Sequence, residues 1–342
     1  MIKNILNRIK EFIKDEYKNI LLFVTLYSIF MWPLDYYIIT GGGIMEIDDR
    51  IVVEDEFKSK GSFNLAYVSE AKGTVATYLL SYIMPNWERV ETSDYTYDEN
   101  ETKEDVEFRG KIDLNSANDN AIKNAFLEAN KTYKITDKKV YVYYVDPDSQ
   151  NNFEVGDEVI KINEKEITST DSFKDELSNY TIDDEIKMTI IRNKKEKEII
   201  VKLYEKEDNE ILGIYLTEVN KYKTYPKVKF DFKRGESGPS GGLISALDIY
   251  DKITKGDLTK GLKIAGTGEI DKDGNIGTIG GVKYKLIGAD KEKADIFLVP
   301  NGENYKECIK VAKEEDLDIK IIGVSTLNEA IKELEKINKK KK

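Results

Sequence analysis

Apolar residues in this chain follow two different periods, and the change between them divides the sequence into regions. A basic N-terminal segment, residues 1–18, precedes an uncharged run from Ile20 to Leu34. In residues 44–70 and again in about 132–205, short runs rich in β-branched and aromatic residues predict strands. From Tyr225 onward, such runs alternate with longer segments that carry apolar residues every three or four positions. That alternation predicts an α/β domain.

The regions between these patterns also carry predictions. We expect a helix over residues 71–90, an acidic surface loop over 91–105 and a second helix over 115–130 that begins at Asn115 or Ser116. In the C-terminal region the pattern predicts strands over 228–232, 262–267, 296–299 and 319–323, and helices over 241–253, 282–293, 303–313 and 326–337.

Composition narrows the possible functions. At 342 residues the chain is long enough for two or three domains. Its formal net charge of −11 is unfavourable for binding the negatively charged backbone of nucleic acid, so no nucleic-acid partner is expected. Cys308 is the one cysteine and lies on a predicted helix, which indicates core packing. The chain contains no histidine, which excludes a Ser-His-Asp triad and any histidine-containing metal site. We expect neither a metal nor another cofactor.

The N-terminal region predicts a membrane anchor. Fifteen residues from Ile20 would extend about 22 Å as a helix, whereas continuation to Thr40 would cross the ~30 Å hydrocarbon core. Asp35 would then lie near the far interface, with an aromatic belt of Trp32, Tyr36 and Tyr37. Basic residues precede the run and acidic residues follow it, so the body is expected outside the cytoplasm. We predict an uncleaved transmembrane helix over 19–40; a buried core helix is the alternative.

The candidate chemistry begins with the sequence Gly238-Pro239-Ser240-Gly241-Gly242, which opens an apolar helix. Glycine permits unusual backbone angles and close approach by a substrate. A serine at a helix N-terminus is surrounded by backbone N–H groups that could stabilise an oxyanion. The alternative is an ordinary serine N-cap in a glycine-rich turn. If Ser240 is a nucleophile, the missing histidine requires that a lysine serve as its base.

Lys285 is the better of two candidate bases. The segment Gly266-Thr267-Gly268-Glu269-Ile270 ends a strand, and Ile279-Gly280-Gly281 then leads into a helix that carries Lys283 and Lys285. Lys285 falls on the apolar face of this helix with Val282, Leu286 and Ala289, whereas Lys283 is rotated away. A general base near neutrality requires a pKa of about 7–8, against ~10.4 for lysine in water, and burial can impose that shift.

Two resemblances follow from these motifs. Residues 130–205, with Gly156-Asp157 before an apolar strand, resemble a bacterial protease-associated PDZ domain, which implies binding of extended peptides at a sheet edge. Residues 225–337 resemble the proteolytic domain of Lon-type serine proteases. This second resemblance implies that Ser240 is the nucleophile and Lys285 the general base. It implies supporting roles for Thr267, Glu269, Gly238, Pro239 and Gly241. Ser237, preceded by Glu236, stands where many Lon enzymes have an acid.

The whole arrangement resembles the YlbL-like, membrane-anchored PDZ/Lon-type proteases of bacteria. The resemblance implies a Lon-type α/β (α+β) proteolytic domain and a small β-rich PDZ-like domain behind one transmembrane helix. The predicted divisions are a basic segment 1–18, an anchor 19–40, an extracytoplasmic segment 41–130, a PDZ-like domain 131–205, a proteolytic domain 206–338 and a lysine tail 339–342.

These expectations combine into one functional prediction. The protein is expected to be an ATP-independent serine endopeptidase at the outer face of the cytoplasmic membrane that acts on peptides or unfolded segments. Association into a homo-oligomer is left open. Independence from ATP is expected because the sequence contains no Gly-x-x-x-x-Gly-Lys-Ser/Thr loop. The alternative is a membrane-tethered peptide-binding scaffold with an inactive Lon-like domain, which would bind extended peptides without turnover.

Overall fold

The computed structural model describes residues 2–207, 209–233 and 238–337, and the chain divides into two compact units. The first unit comprises residues 1–41 and 68–97, and the second comprises 42–67 and 98–342. Glu236, Ser237 and the predicted lysine tail lie outside the described residues.

The helices are α1 (Ile2–Phe30), α2 (Val75–Leu80), α3 (Lys103–Glu128), α4 (Thr170–Leu177), α5 (Gly242–Ile253), α6 (Val282–Lys291), α7 (Glu303–Glu314) and α8 (Leu327–Lys336). The strands of the N-terminal part are β1 (Pro33–Glu46), β2 (Ile51–Val53), β3 (Ser62–Thr74) and β4 (Trp87–Glu91). The middle strands are β5 (Tyr133–Val145), β6 (Glu158–Ile162), β7 (Lys165–Glu166), β8 (Ile186–Arg192), β9 (Lys195–Val201), β10 (Tyr204–Lys206), β11 (Asn209–Ile211) and β12 (Ile214–Thr224). The C-terminal strands are β13 (Val228–Phe230), β14 (Lys263–Gly266), β15 (Glu269–Ile270), β16 (Ile276–Gly277), β17 (Ile296–Pro300) and β18 (Lys320–Val324).

The predicted transmembrane helix over 19–40 is wrong in its second half. Helix α1 ends at Phe30, and Pro33 begins β1, which pairs antiparallel with β4 from Tyr36 to Thr40. Proline disfavours the helical conformation of the residue before it, so the helix stops ahead of Pro33. Among the described residues, none of the helices combines the length and the apolar character needed to cross a bilayer.

Two further helix predictions are wrong in extent. Residues 71–90 contain only the short helix α2, because β3 runs on to Thr74 and β4 begins at Trp87. Helix α3 starts well before the predicted Asn115 or Ser116, within what was predicted to be a loop. Thr102 caps it, because its hydroxyl accepts a hydrogen bond from the Asp105 N–H while the Asp105 carboxylate accepts from the Thr102 N–H.

In the second unit, a parallel sheet with strand order β18-β17-β14-β3 separates two helical layers. Side chains alternate across the sheet because successive strand residues point to opposite faces. Ile264 and Leu298 face the layer formed by α3, α5 and α8, whereas Ala265 and Phe297 face α6 and α7. The predicted strands and helices of this region all form, most within two residues of the expected bounds.

The middle of the second unit is an antiparallel sheet with strand order β12-β5-β6-β8-β9, and β7 pairs with β6. Its apolar core includes Val142, Ile162 and Met188, all fully buried. The Arg192 guanidinium holds the loop before β6 by donating to both carboxylate oxygens of Asp157, at 2.7 and 2.6 Å. Strand β12 was not predicted, because its half-buried sequence is too polar to read as a strand.

Candidate active site

Ser240 lies in a single 3-10 turn, Pro239–Gly241, that leads directly into α5. The turn requires Gly238, whose φ of 99° and ψ of 157° are a conformation that residues with a Cβ rarely adopt. Gly242 begins the helix where a Cβ would meet the Ile270 side chain at 2.6 Å. Glycine at both positions therefore lets the serine turn form and pack closely against the end of β15.

The segment after β14 is hydrogen-bonded directly to this serine turn. The Gly268 N–H donates to the Ser240 carbonyl oxygen at 2.8 Å, and the Thr267 hydroxyl donates to the same oxygen at 3.1 Å. The Leu243 N–H in turn donates to the Gly268 carbonyl at 3.0 Å. The serine turn and the Thr267-Gly268 segment are distant in sequence, and these hydrogen bonds hold the backbone of each in place against the other.

Lys285 reaches the same place from α6. Its ammonium Nζ donates to the Thr267 Oγ1 at 3.2 Å, and both side chains are buried. The predicted buried face of α6, Val282, Lys285, Leu286 and Ala289, is confirmed. Lys283 is half-buried, and its ammonium lies 5.7 Å from the centre of the Tyr284 ring. The Thr267 hydroxyl thus accepts from Lys285 and donates to the backbone of Ser240.

The site also contains an acidic component. Glu269 is half-buried, and its pKa is raised first by burial and then by the nearby Asp113 carboxylate, while the Lys285 ammonium acts in the opposite direction. Burial also raises the pKa of Asp113, although the Tyr143 hydroxyl donates to its carboxylate at 2.9 Å. Glu269 therefore lies close enough to Lys285 to interact with it, and the Asp113 carboxylate lies close enough to Glu269 to do the same.

Asp113 and its neighbours on α3 were missed by sequence reasoning. Asn120 and Asn124 donate to the backbone carbonyls of Ile270 and Asp271, each at 2.9 Å, and so hold the hairpin that follows the Thr267 segment. A signal was present, because positions 113, 120 and 124 fall on one side of a helix. It was lost when the helix was predicted to begin at Asn115 or Ser116, which left Asp113 outside the helix.

A cavity of about 150 Å³ lies beside the second half of α5 and contains none of the predicted site residues. Its wall carries the Lys252 ammonium, which lies 2.6 Å from an Asp48 oxygen and 3.1 Å from an Asp248 oxygen. Lys252 and Asp248 are buried and Asp48 is exposed, so this wall of the cavity carries an ion-pair network that reaches the surface. The predicted nucleophile Ser240 lies at the other end of α5.

Two family models match separate parts of the chain. Residues 233–336 match the family model of the Lon protease (S16) C-terminal proteolytic domain. Residues 116–203 match the PDZ domain model. The chain thus contains a PDZ domain and a Lon-type proteolytic domain. The match to the proteolytic domain includes Ser240, Thr267 and Lys285, and the match to the PDZ domain begins within α3.

Individual relatives are also Lon proteases. The chain is 34% identical over 99 residues to the Lon protease of Aster yellows witches'-broom phytoplasma, and 35% identical over 97 residues to that of Campylobacter concisus. These alignments cover 29% and 28% of this chain. The chain spans 12% of the length of each of these two relatives.

Among solved structures, the chain is similar to the PDZ domain of the SdrC-like protein of Listeria monocytogenes. The identity is 25% and the TM-score 0.23, over 24% of this chain and 92% of the other.

Proposed function

We propose that this chain is a serine endopeptidase in which Ser240 is the nucleophile and Lys285 the general base. The observation that carries the proposal is the hydrogen-bond chain from Lys285 Nζ through Thr267 Oγ1 to the Ser240 carbonyl. Burying an ammonium is costly, and here the buried lysine is held by a buried hydroxyl directly beside the serine turn, where a general base would have to lie.

In the proposed reaction, Lys285 in its neutral form takes the proton of the Ser240 hydroxyl as the oxygen attacks a peptide carbonyl. The N–H groups of Gly242 and Leu243 already donate to Pro239 and Gly268. The amides of Ser240 and Gly241, within the serine turn itself, are the proposed oxyanion donors. The protonated Lys285 then gives its proton to the leaving amine, and a water deprotonated by Lys285 releases the acyl group and restores the Ser240 hydroxyl.

Thr267 is proposed to act as a positioning residue. Its single hydroxyl proton is directed at the Ser240 carbonyl, so its lone pairs are available to Lys285. This arrangement restricts the rotation of the ammonium and holds the Lys285 Nζ beside the serine turn. The Glu269 carboxylate, when ionised, favours the protonated lysine formed during attack.

The proposal extends to substrate and location. The proteolytic domain is proposed to act without ATP on peptides or unfolded segments, which the PDZ domain would bind as an added strand. We further propose that the protein acts at the outer face of the cytoplasmic membrane, held there by α1. Support comes from the uncharged second half of α1, whose large apolar side chains are exposed.

The test is cleavage of an unfolded model protein by the full chain, compared with Ser240→Ala, Lys285→Met and the matched control Lys283→Met on the same helix. We expect no turnover from the first two variants and near-normal turnover from the control. Covalent labelling of Ser240 by a peptidyl phosphonate should require Lys285 as well. Turnover that survives Ser240→Ala would contradict the mechanism. Peptide binding by the wild type without any turnover would favour the scaffold alternative.

A further inference from the structure

Two uncharged stretches distinguish the first unit from the rest of the chain. Charged residues make up 34% of the sequence, yet residues 19–34 and 73–87 contain none, and no other stretch without charge is as long. Both stretches belong to the first unit. The first was predicted to be part of a membrane anchor, whereas the second was predicted only to be part of a helix.

The second half of α1 is exposed on all sides. The consecutive residues Leu21, Leu22, Phe23 and Val24 have between 50% and 69% of their surface accessible. Because successive residues of a helix are about 100° apart, four in a row cover most of its circumference. A protein groove would cover one face and favour a one-sided pattern, so an apolar helix exposed all round is suited to an environment that is apolar on every side.

The second stretch folds into a short, exposed apolar projection. It consists of α2 and the turn that follows, and we call residues 78–84 the apolar turn. Its backbone is ordered by hydrogen bonds, because the Ser81 N–H donates to Thr77 and the Met84 N–H donates to Leu80, both at 2.9 Å. The exposed large side chains are Tyr78, Leu79, Leu80, Tyr82, Ile83 and Met84, with Ile83 at 76%.

The apolar turn is connected to the end of α1. The Val75 N–H, at the start of α2, donates to the Trp32 carbonyl at 3.2 Å. Behind the turn, the Arg89 guanidinium lies 4.4 Å from the centre of the Tyr82 ring, and the Tyr82 hydroxyl donates to that of Tyr78 at 2.9 Å. Aromatic rings with a polar edge beside a cation are typical of side chains that occupy the water–lipid interface.

The nearly balanced charge of the first unit also favours contact with a lipid bilayer. The first unit contains seven basic and eight acidic residues, whereas the rest of the chain carries nearly all of the net charge of −11. A strongly acidic surface would be repelled by the anionic lipids of a membrane, and a balanced one is not. The first unit is therefore the part of this chain that can lie on a bilayer.

We propose that the apolar turn is a second lipid-contacting element, which inserts its Leu79–Met84 side chains into the bilayer interface beside α1. This inference rests on the proposed membrane location and adds a contact that the N-terminal helix alone does not provide. Two connected points of insertion would restrict the tilt of the first unit at the surface.

The direct test places a fluorophore in the turn. Cys308 is the one cysteine and is fully buried, so the full chain with Cys308→Ala and Ile83→Cys can be labelled at residue 83 alone. The matched control is Ile200→Cys, at another exposed isoleucine, on β9. With vesicles of phosphatidylcholine and a minority of phosphatidylglycerol, we expect a blue shift and protection from aqueous iodide at residue 83 and neither change at residue 200.

A second measurement uses partitioning. Ile83→Asp should weaken binding of the full chain to the same vesicles by about tenfold, equivalent to about 1.4 kcal/mol, whereas Ile200→Asp should not. A label at residue 83 that stays in water while the wild type binds would overturn this inference and leave the membrane location standing. Absence of vesicle binding by the wild type would overturn both. Dissociation of a dimer by Ile83→Asp, with unchanged lipid binding, would assign the surface to a second copy instead.

Discussion

The substitution Thr267→Val tests the central contact of the proposed site. Valine has nearly the same shape, so the change removes the hydroxyl that joins Lys285 to the Ser240 carbonyl and little else. The Ser240 carbonyl keeps its hydrogen bond from the Gly268 N–H, but Lys285 loses a buried, charge-assisted acceptor. Such a hydrogen bond contributes about 1.5–3 kcal/mol, so we expect turnover to fall by roughly 10- to 100-fold.

The assay is the pH dependence of peptide cleavage. Because the Thr267 hydroxyl accepts from the ammonium form of Lys285, its removal disfavours that form, and the acid limb of the profile should move to lower pH. We expect the loss in kcat, with KM little changed, since Thr267 is buried away from solvent. A simple packing defect would lower activity without moving the acid limb.

Two controls separate the contact from packing. Thr267→Ser keeps the hydroxyl and should keep most of the activity. Thr259→Val removes another fully buried hydroxyl, one that donates to Asp257 and accepts from the Gly61 N–H, and should affect stability rather than turnover. Full activity of Thr267→Val with an unchanged pH profile would refute the proposed positioning role.

Three further predictions concern other parts of the second unit. Burial raises the pKa of Asp119 to about 7, so the folded protein retains a proton that the unfolded chain releases near pH 4. The free energy of unfolding should therefore fall as pH rises from about 4 to 7, by at most about 4 kcal/mol. Chemical denaturation at several pH values should show that Asp119→Asn removes this contribution. Gly238→Ala should reduce turnover by about tenfold through strain at φ 99°, whereas Gly256→Ala, at an open position of ordinary φ, should leave the cleavage rate unaltered. Thiol-alkylating reagents should leave cleavage of the model protein unaffected, because Cys308 is fully buried and burial raises the pKa of its thiol to about 12; rapid inactivation would contradict this.

The C-terminal domain was predictable because its local signals agree with its tertiary structure. The apolar period on α6 identified Lys285 as buried, and the glycines around Ser240 located the turn before α5. In such α/β units each strand is continuously apolar and each helix has one apolar face, so pattern and environment coincide.

The wrong predictions of secondary structure lie where the local sequence pattern does not reflect the tertiary contacts of the segment. The apolar run after residue 18 continues past Phe30, and hydropathy alone could not show that Tyr36–Thr40 pairs as a strand with β4. Helix α3 is mostly polar, because its polar side chains bind the backbone of other elements rather than solvent, and so it lacks a clear apolar period. The Asp113 contribution to the site depends on that helix and was lost with it.

Helix α3 has a consequence for how such proteins are assembled from modules. Along its length, Asp113 accepts from Tyr143 of β5, Asp119 accepts from the Asn220 N–H of β12, and Asn120 and Asn124 hold the hairpin after Thr267. One helix therefore contacts both the antiparallel sheet of the PDZ domain and the proposed active site. Exchange of the PDZ domain between relatives at its sequence boundary would sever this helix, so recombination that preserves function must carry α3 and its two sets of partners together.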